Sequence, residues 1–299
     1  MNIMTPPSTT TYRLLDSGNG LRLEQWGSNI IIRPDNTCLW QQKSPDLWKN
    51  ASATYQKDTK DAWSWHKTAT FREPWLFSYH LPSVGQEKAQ RITCQLRMGI
   101  SKNIGIFPEQ AAQWDWMVRQ IQSVRQSPRV LNLFAYTGAA TLCAAAAGAE
   151  VCHVDASKPA VSWARENQQL CKLDTSAIRF IVDDCASFVT REIKRGNTYD
   201  ALIFDPPAFG RDHRGKVFSF EKHVSQLLEL CMKVLTPHPI FVIFNGYAMG
   251  HSATILANVL ADFFPKQAAA IECGELHVAE HKGGRTLPCS IYARFGKKI

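Results

Sequence analysis

From residue 109 onward the apolar positions switch between two periods. Within residues 109–126, Trp114, Met117, Val118 and Ile121 recur on one helical face, and Pro128 ends the run. Residues 129–134 read as a strand, and residues 138–148, small and apolar between two glycines, as a helix. A strand over 150–154 precedes a helix over 159–171 that opens on proline. Ile178–Val182 and Ala201–Phe204 read as strands, 220–235 as a helix, 240–244 as a strand and 252–264 as a helix. Strands alternating with helices predict an α/β fold, a mostly parallel sheet covered on both faces. Residues 268–276 and 290–295 predict an antiparallel edge.

The earlier part follows another pattern. Residues 12–15 and Leu21–Trp26 read as strands around Asp-Ser-Gly-Asn-Gly, which is hairpin-turn chemistry. Residues 29–33 give a further strand, ended by Pro34 and Asp35. The division expected is a small β-rich accessory domain over 1–95 and an α/β domain over 96–299. Residues 1–11, polar and rich in Thr and Pro, read as a loose tail without the basic head and apolar centre of a secretory signal. Six of the nine tryptophans fall in the first part: Trp26, Trp40, Trp48, Trp63, Trp65 and Trp75. Large aromatics serve burial first, with stacking on bases as the other use.

Composition narrows the function classes. Hydrophobic residues make up 45% of the 299, enough for a sizeable core, and no run is apolar for long enough to span a bilayer. The nine cysteines are scattered without a Cys-x-x-Cys pair, so neither a disulfide framework nor a metal site is expected, and reduced thiols of the cytoplasm are. The formal charge of +8 leans toward a polyanionic partner.

Open α/β sheets bind ligands beyond the carboxyl ends of their strands, so the residues after each strand carry the chemistry. The first strand ends in Phe134-Ala135-Tyr136-Thr137-Gly138. One glycine at a helix start permits close backbone approach, but the Gly-x-Gly-x-x-Gly of a dinucleotide fold is missing, which counts against NAD. The second ends in Asp155-Ala156-Ser157, where an acid either accepts from ribose hydroxyls or caps the next helix. The third ends in Asp183-Asp184-Cys185, whose acids either meet an adenine amine or lie solvated in a loop. The fourth ends in Asp205-Pro206-Pro207-Ala208-Phe209, the most specific signal. Its prolines stiffen the loop and remove two backbone donors, which leaves Asp205 and nearby carbonyls as acceptors for an amine. Phe209 is suited to stack on a planar ring.

Val130 to Gly138, Val154 to Ser157, Asp184-Cys185 and Asp205 to Phe209 together resemble the bacterial ribosomal-RNA large-subunit methyltransferase family, over roughly residues 95–299. Gly105 to Gln110 is similar to the stretch before its catalytic domain. The resemblance implies a Rossmann-like class I methyltransferase domain with a mostly parallel seven-stranded sheet, and S-adenosylmethionine as cofactor. It implies that Phe134, Ala135, Tyr136, Thr137 and Gly138 line the methionine side, that Asp155 with Ala156 holds the ribose, and that Asp184 and Cys185 sit near the adenine. Asp205, Pro206, Pro207 and Phe209 become the catalytic loop, with Asp205 also beside the cofactor. Asn132 departs from the pattern, standing where many class I members carry an acid.

Arg211, Arg214 and Lys216 follow the catalytic loop and Arg285 lies late. They either bracket an anionic strand of RNA or form ordinary solvated loops. The leading expectation is methyl transfer to a base of ribosomal RNA. The loops after the fourth and fifth strands hold no cysteine for attack on cytosine, so a nitrogen, of guanine first, is favoured, with Cys289 the one awkward candidate nucleophile. A cytosine-carbon enzyme, a methyltransferase acting on a protein or small molecule, and a non-catalytic RNA-binding protein are the alternatives.

Overall fold

The computed structural model describes residues 2–7, 11–59, 61–82, 90–211, 215, 217–247 and 250–297. In chain order the first elements are β1 (Asn2–Met4), β2 (Tyr12–Gly18), β3 (Leu21–Trp26), β4 (Asn29–Pro34), a short α1 (Pro45–Trp48), β5 (Ala53–Lys57) and β6 (Trp63–Lys67). Strands β2 to β6 form a five-stranded sheet in sequential order. The β2–β3 turn is Asn19-Gly20, with φ of 54° and 74°. Two left-handed residues give the turn whose twist matches a hairpin, which is why Asn-Gly is the favoured pair. A ladder of β7 (Leu76–His80) and β8 (Arg91–Gln95) follows.

Next come α2 (Ala111–Gln122), β9 (Arg129–Leu133), α3 (Ala139–Ala146), β10 (Glu150–Asp155), α4 (Lys158–Leu170), β11 (Ile178–Val182) and α5 (Cys185–Arg195). The chain continues through β12 (Ala201–Phe204), β13 (Phe209–Arg211), β14 (Val217–Ser219), α6 (Phe220–Met232), β15 (Phe241–Tyr247), α7 (Ala253–Phe263), β16 (Glu272–Ala279) and β17 (Thr286–Gly296). Among the described residues the large sheet has eight strands in the order β1-β16-β17-β15-β12-β9-β10-β11. The pairs β15–β17 and β16–β17 are antiparallel and the other five are parallel.

Strand side chains alternate between two cores, as a period of two requires. Val130, Ile203 and Ile243 join a cluster with Trp114, Met117 and the alanines of α3. Leu131, Leu202 and Val242 join another with Phe188, Leu227, Leu228 and Leu256 from α5, α6 and α7. The first cluster extends without a break into Trp26, Ile31, Phe77 and Tyr79, so the accessory strands share the core of the large domain. Trp26 and Trp75 are buried and Trp40 and Trp65 pack at the edge of that core, while Trp63 is 46% exposed and stacks on Tyr55.

Three expectations change. Residues 2–4 lie within the stretch read as a loose tail and as part of the accessory domain, yet they form β1 and pair with β16 of the large sheet. The reason is Gly274: a Cβ there would run into the Asn2 carbonyl, so the missing side chain admits the extra strand. Residues 268–270 belong to a 3-10 turn, and β16 begins at Glu272. Helix α5 occupies a stretch for which no element was expected; its buried face carries Cys185, Phe188, Val189 and Glu192, the last held by the Tyr199 hydroxyl at 2.7 Å, Arg195 at 2.8 Å and Asn197 at 2.9 Å.

Candidate active site

The carboxyl ends of β9, β10, β12 and β15 open onto one cavity of about 1040 Å³. It lies where the strand order reverses about β9, the switch point at which open parallel sheets bind ligands.

The loop after β9 forms the first wall. Phe134, Tyr136 and Gly138 have φ of 58°, 51° and 89°. Left-handed backbone costs a non-glycine residue about 1–2 kcal/mol, so the surroundings must hold it. Tyr136 N–H donates to Asp155 Oδ2 at 2.8 Å and Ala135 N–H to the Val154 carbonyl at 3.1 Å. The Thr137 hydroxyl donates to the Gly105 carbonyl, and Asn167 Nδ2 to the Thr137 carbonyl at 3.0 Å. Gly138 caps α3 in left-handed geometry, and a Cβ there would sit 2.9 Å from the Ala164 Cβ.

Asp155 braces this loop rather than capping the next helix. Its Oδ1 accepts from Ser157 N–H at 2.8 Å, while Ser157 itself caps α4 by accepting from Ala160 N–H. Burial raises the Asp155 carboxyl above its ordinary range, against the two N–H donors that favour its charge. Each oxygen has one of these bonds and keeps further lone-pair capacity toward the cavity. Asp184 caps α5, accepting from Ser187 N–H at 3.0 Å and from its hydroxyl at 2.7 Å. Cys185 is buried beside it, and burial pushes its thiol well up, so it stays neutral.

The opposite wall is the loop after β12. Asp205 Oδ1 is buried and has no hydrogen-bond partner. Burial first, then the nearby Glu109 carboxyl, pushes Asp205 up to about 7, against a hydrogen bond from Asn245. Glu109 is itself buried and raised, and its Oε2 also lacks a partner. Pro206 is buried, Pro207 half-buried, and Phe209 is 63% exposed at the cavity rim. Across from them, the Tyr247 hydroxyl accepts from Gln110 Nε2 at 2.7 Å, and the Phe107 ring lies 5.9 Å from Tyr136 and 5.3 Å from Tyr247. Arg22, Asp35 and Lys102 complete this end, and Pro288 and Cys289 of β17 join them. The small sheet therefore contributes to the wall through β3.

The structure thus brings together Phe134 to Gly138, Asp155, Ala156, Asp184, Cys185, Asp205 to Pro207 and Phe209. Arg285 does not line this cavity. Its guanidinium donates to the Gln41 carbonyl at 2.8 Å and the Ser17 carbonyl at 3.2 Å, tying the β16–β17 connection to the small sheet. Arg211 ends β13, while Arg214 and Lys216 lie outside the described residues. Sequence reasoning gave no role to Arg22, Glu109, Asn245 or Tyr247. The one signal was a glutamate directly after the apolar run from Ile104 to Pro108.

A profile of S-adenosylmethionine-dependent methyltransferases matches residues 83–260, which hold all four strand ends. The chain belongs to that family. A crystal structure of a SAM-dependent methyltransferase from Agrobacterium tumefaciens is 34% identical, covers 100% of this chain and 94% of that one, and superposes with a TM-score of 0.87. The structure of SMU.776 with S-adenosylhomocysteine shares the fold at 18% identity, TM-score 0.69, covering 97% of this chain and 76% of that one. Ribosomal RNA large subunit methyltransferase K/L of Chromohalobacter salexigens is 35% identical over 130 residues, 43% of this chain and 17% of that protein. Ribosomal RNA large subunit methyltransferase I of Salmonella arizonae is 28% identical over 178 residues, 56% of this chain and 42% of that protein. The chain thus spans less than half the length of these two relatives.

The cavity fits the family's cofactor. Carboxylate oxygens with spare lone pairs at Asp155 suit the donor hydroxyls of a ribose.

Proposed function

We propose that this chain transfers a methyl group from S-adenosylmethionine to a nitrogen of a base in ribosomal RNA, guanine first. The observation that carries the reading is Asp205 Oδ1, a buried acceptor without a partner, in the same cavity as the Asp155-braced loop. In the division we propose, Phe134 to Gly138, Asp155, Ala156, Asp184 and Cys185 hold the cofactor, and Asp205, Pro206, Pro207 and Phe209 hold the acceptor. S-adenosylmethionine, when bound, supplies an electrophilic methyl group on a sulfonium.

The residues then have to place a nitrogen in line with it, and positioning does most of the work in such a step. Asp205 accepts an N–H of the incoming amine, orients its lone pair away from the carboxylate and receives the proton as positive charge develops. A carboxyl poised near neutrality suits that exchange. Pro206 and Pro207 present no N–H to compete for it. Phe209, exposed at the rim, offers a face for a base to stack on. The relatives' names and the +8 charge support RNA as the acceptor.

One observation favours carbon methylation of cytosine instead: Cys289 lines the same cavity. Its thiol is pushed well above its ordinary range by burial and by Glu109, which works against a nucleophilic thiolate. The test is incubation with tritiated S-adenosylmethionine and an unmodified large-subunit RNA transcript, followed by nucleoside mass spectrometry. Label on an N-methylguanosine is expected. A transcript containing 5-fluorocytosine that is trapped on the protein, and released in Cys289→Ala, would establish the carbon reaction. Label absent from RNA would send the search to protein or small-molecule acceptors.

A further inference from the structure

Among the described residues, three buried polar atoms in the wall of the cavity lack a hydrogen-bond partner: Asp205 Oδ1, Glu109 Oε2 and Arg22 Nε. They come from three separate elements, the loop after β12, the 3-10 turn Pro108–Gln110 and strand β3. Glu109 and Arg22 are only 3% and 8% exposed. Orphaned buried polar atoms are rare in folded proteins because each costs its full desolvation. Three converging on one cavity mark a site that a ligand completes.

Arg22 keeps its charge compensated without using its N–H. Glu24 and Asp35 each lie 3.7 Å from Nε, within ion-pair range but with no hydrogen bond formed. Neighbouring Arg33 takes the close contacts to Glu24, at 2.6 and 2.8 Å, which leaves Arg22 available. The pair therefore presents one acceptor and one donor, and neither is satisfied by the protein.

We propose that Glu109 and Arg22 are specificity-determining residues of the acceptor end. Glu109 accepts a ring or exocyclic N–H of the acceptor base, and Arg22 donates to the carbonyl or ring nitrogen beside it. A carboxylate and a guanidinium on one edge match a heterocycle whose donor adjoins an acceptor, as the N1–H and O6 of guanine do. The assignment rests on the reading that the Asp205 end takes a base. It also gives the small sheet a place in substrate choice, through β3.

Glu109→Gln keeps the shape and replaces one acceptor oxygen with a donor. Arg22→Lys keeps a charge for Glu24 and Asp35 but loses the Nε–H. Both variants are assayed for tritium transfer to the unmodified large-subunit transcript and for S-adenosylhomocysteine affinity by calorimetry. The expected result is a fall of about 10- to 100-fold in kcat/KM for RNA, the usual size for an unpaired buried polar contact. Affinity for S-adenosylhomocysteine stays within twofold, and a larger share of the remaining label falls on other nucleosides. Either variant within threefold of the parent enzyme, with unchanged base choice, overturns the assignment of that residue. Equal losses of S-adenosylhomocysteine affinity and transfer overturn its place at the acceptor end. Parent enzyme that leaves RNA unlabelled overturns the RNA reading first, and this inference with it.

Discussion

Asp205 has a carboxyl raised to about 7 in the folded chain against an ordinary value of 3.8. The folded state then binds its proton more tightly than the unfolded state, so stability falls as pH rises from about 4 to about 7, by up to about 1.4 kcal/mol per pH unit. Denaturant unfolding of the cofactor-free protein at pH 5 and pH 7.5 should show a smaller loss in Asp205→Asn than in the parent. Equal losses would mean that Asp205 is not the proton-binding group. Residue chemistry explains Asn132 as well. Its Nδ2 donates to Thr141 Oγ1 at 2.9 Å, and that hydroxyl lies 2.9 Å from His153 Nδ1. Burial holds His153 down at about 3, so this chain is neutral throughout, and a carboxylate at 132 would add a buried charge. The motif residues of the site were legible because Asp205-Pro206-Pro207 and Phe134 to Gly138 are contiguous in sequence. Glu109 and Arg22 were not, because only tertiary packing gives a buried charge its unpaired atom.

At the scale of elements, the alternation of strand and helix was readable where large apolar residues recur on one face, as Trp114, Met117, Val118 and Ile121 do in α2. It missed α5, a helix whose buried face mixes Phe188 and Val189 with Glu192, and β1, where Asn2 pairs with a glycine 272 residues away. Two of the glycines with close neighbours give tests. Gly138→Ala introduces a Cβ 2.9 Å from Ala164 at a φ of 89°, and should destabilise the fold by about 1–3 kcal/mol in denaturant unfolding. A change below about 0.5 kcal/mol, the range of an ordinary surface substitution, would show that the loop relaxes freely. Gly274→Val should displace β1 while leaving the Asp155 end intact. Hydrogen exchange would then speed up at Asn2 to Met4 and at β16, with S-adenosylhomocysteine affinity unchanged. Unaltered exchange at β1 would show that the strand tolerates the side chain.

At the scale of the whole molecule, the small sheet and the α/β domain share one core, and the sheet supplies part of the cavity wall. The division expected near residue 95 rests on the change from a strand pattern to strand–helix alternation, and shared burial leaves no local mark in a sequence. The +8 charge predicts that RNA affinity falls steeply with salt, and that neutralising Arg211, Arg214 and Lys216 together flattens the slope. A slope unchanged by the triple substitution would remove that segment from the RNA surface. In the function proposed, one cavity has a cofactor end at Asp155 and an acceptor end at Asp205. Titration calorimetry with S-adenosylhomocysteine on the parent, Asp155→Ala and Asp205→Asn tests it most directly. Asp155→Ala is expected to lose at least tenfold in affinity, the equivalent of about 1.4 kcal/mol, and Asp205→Asn to change by no more than threefold. Equal losses in the two variants would contradict it.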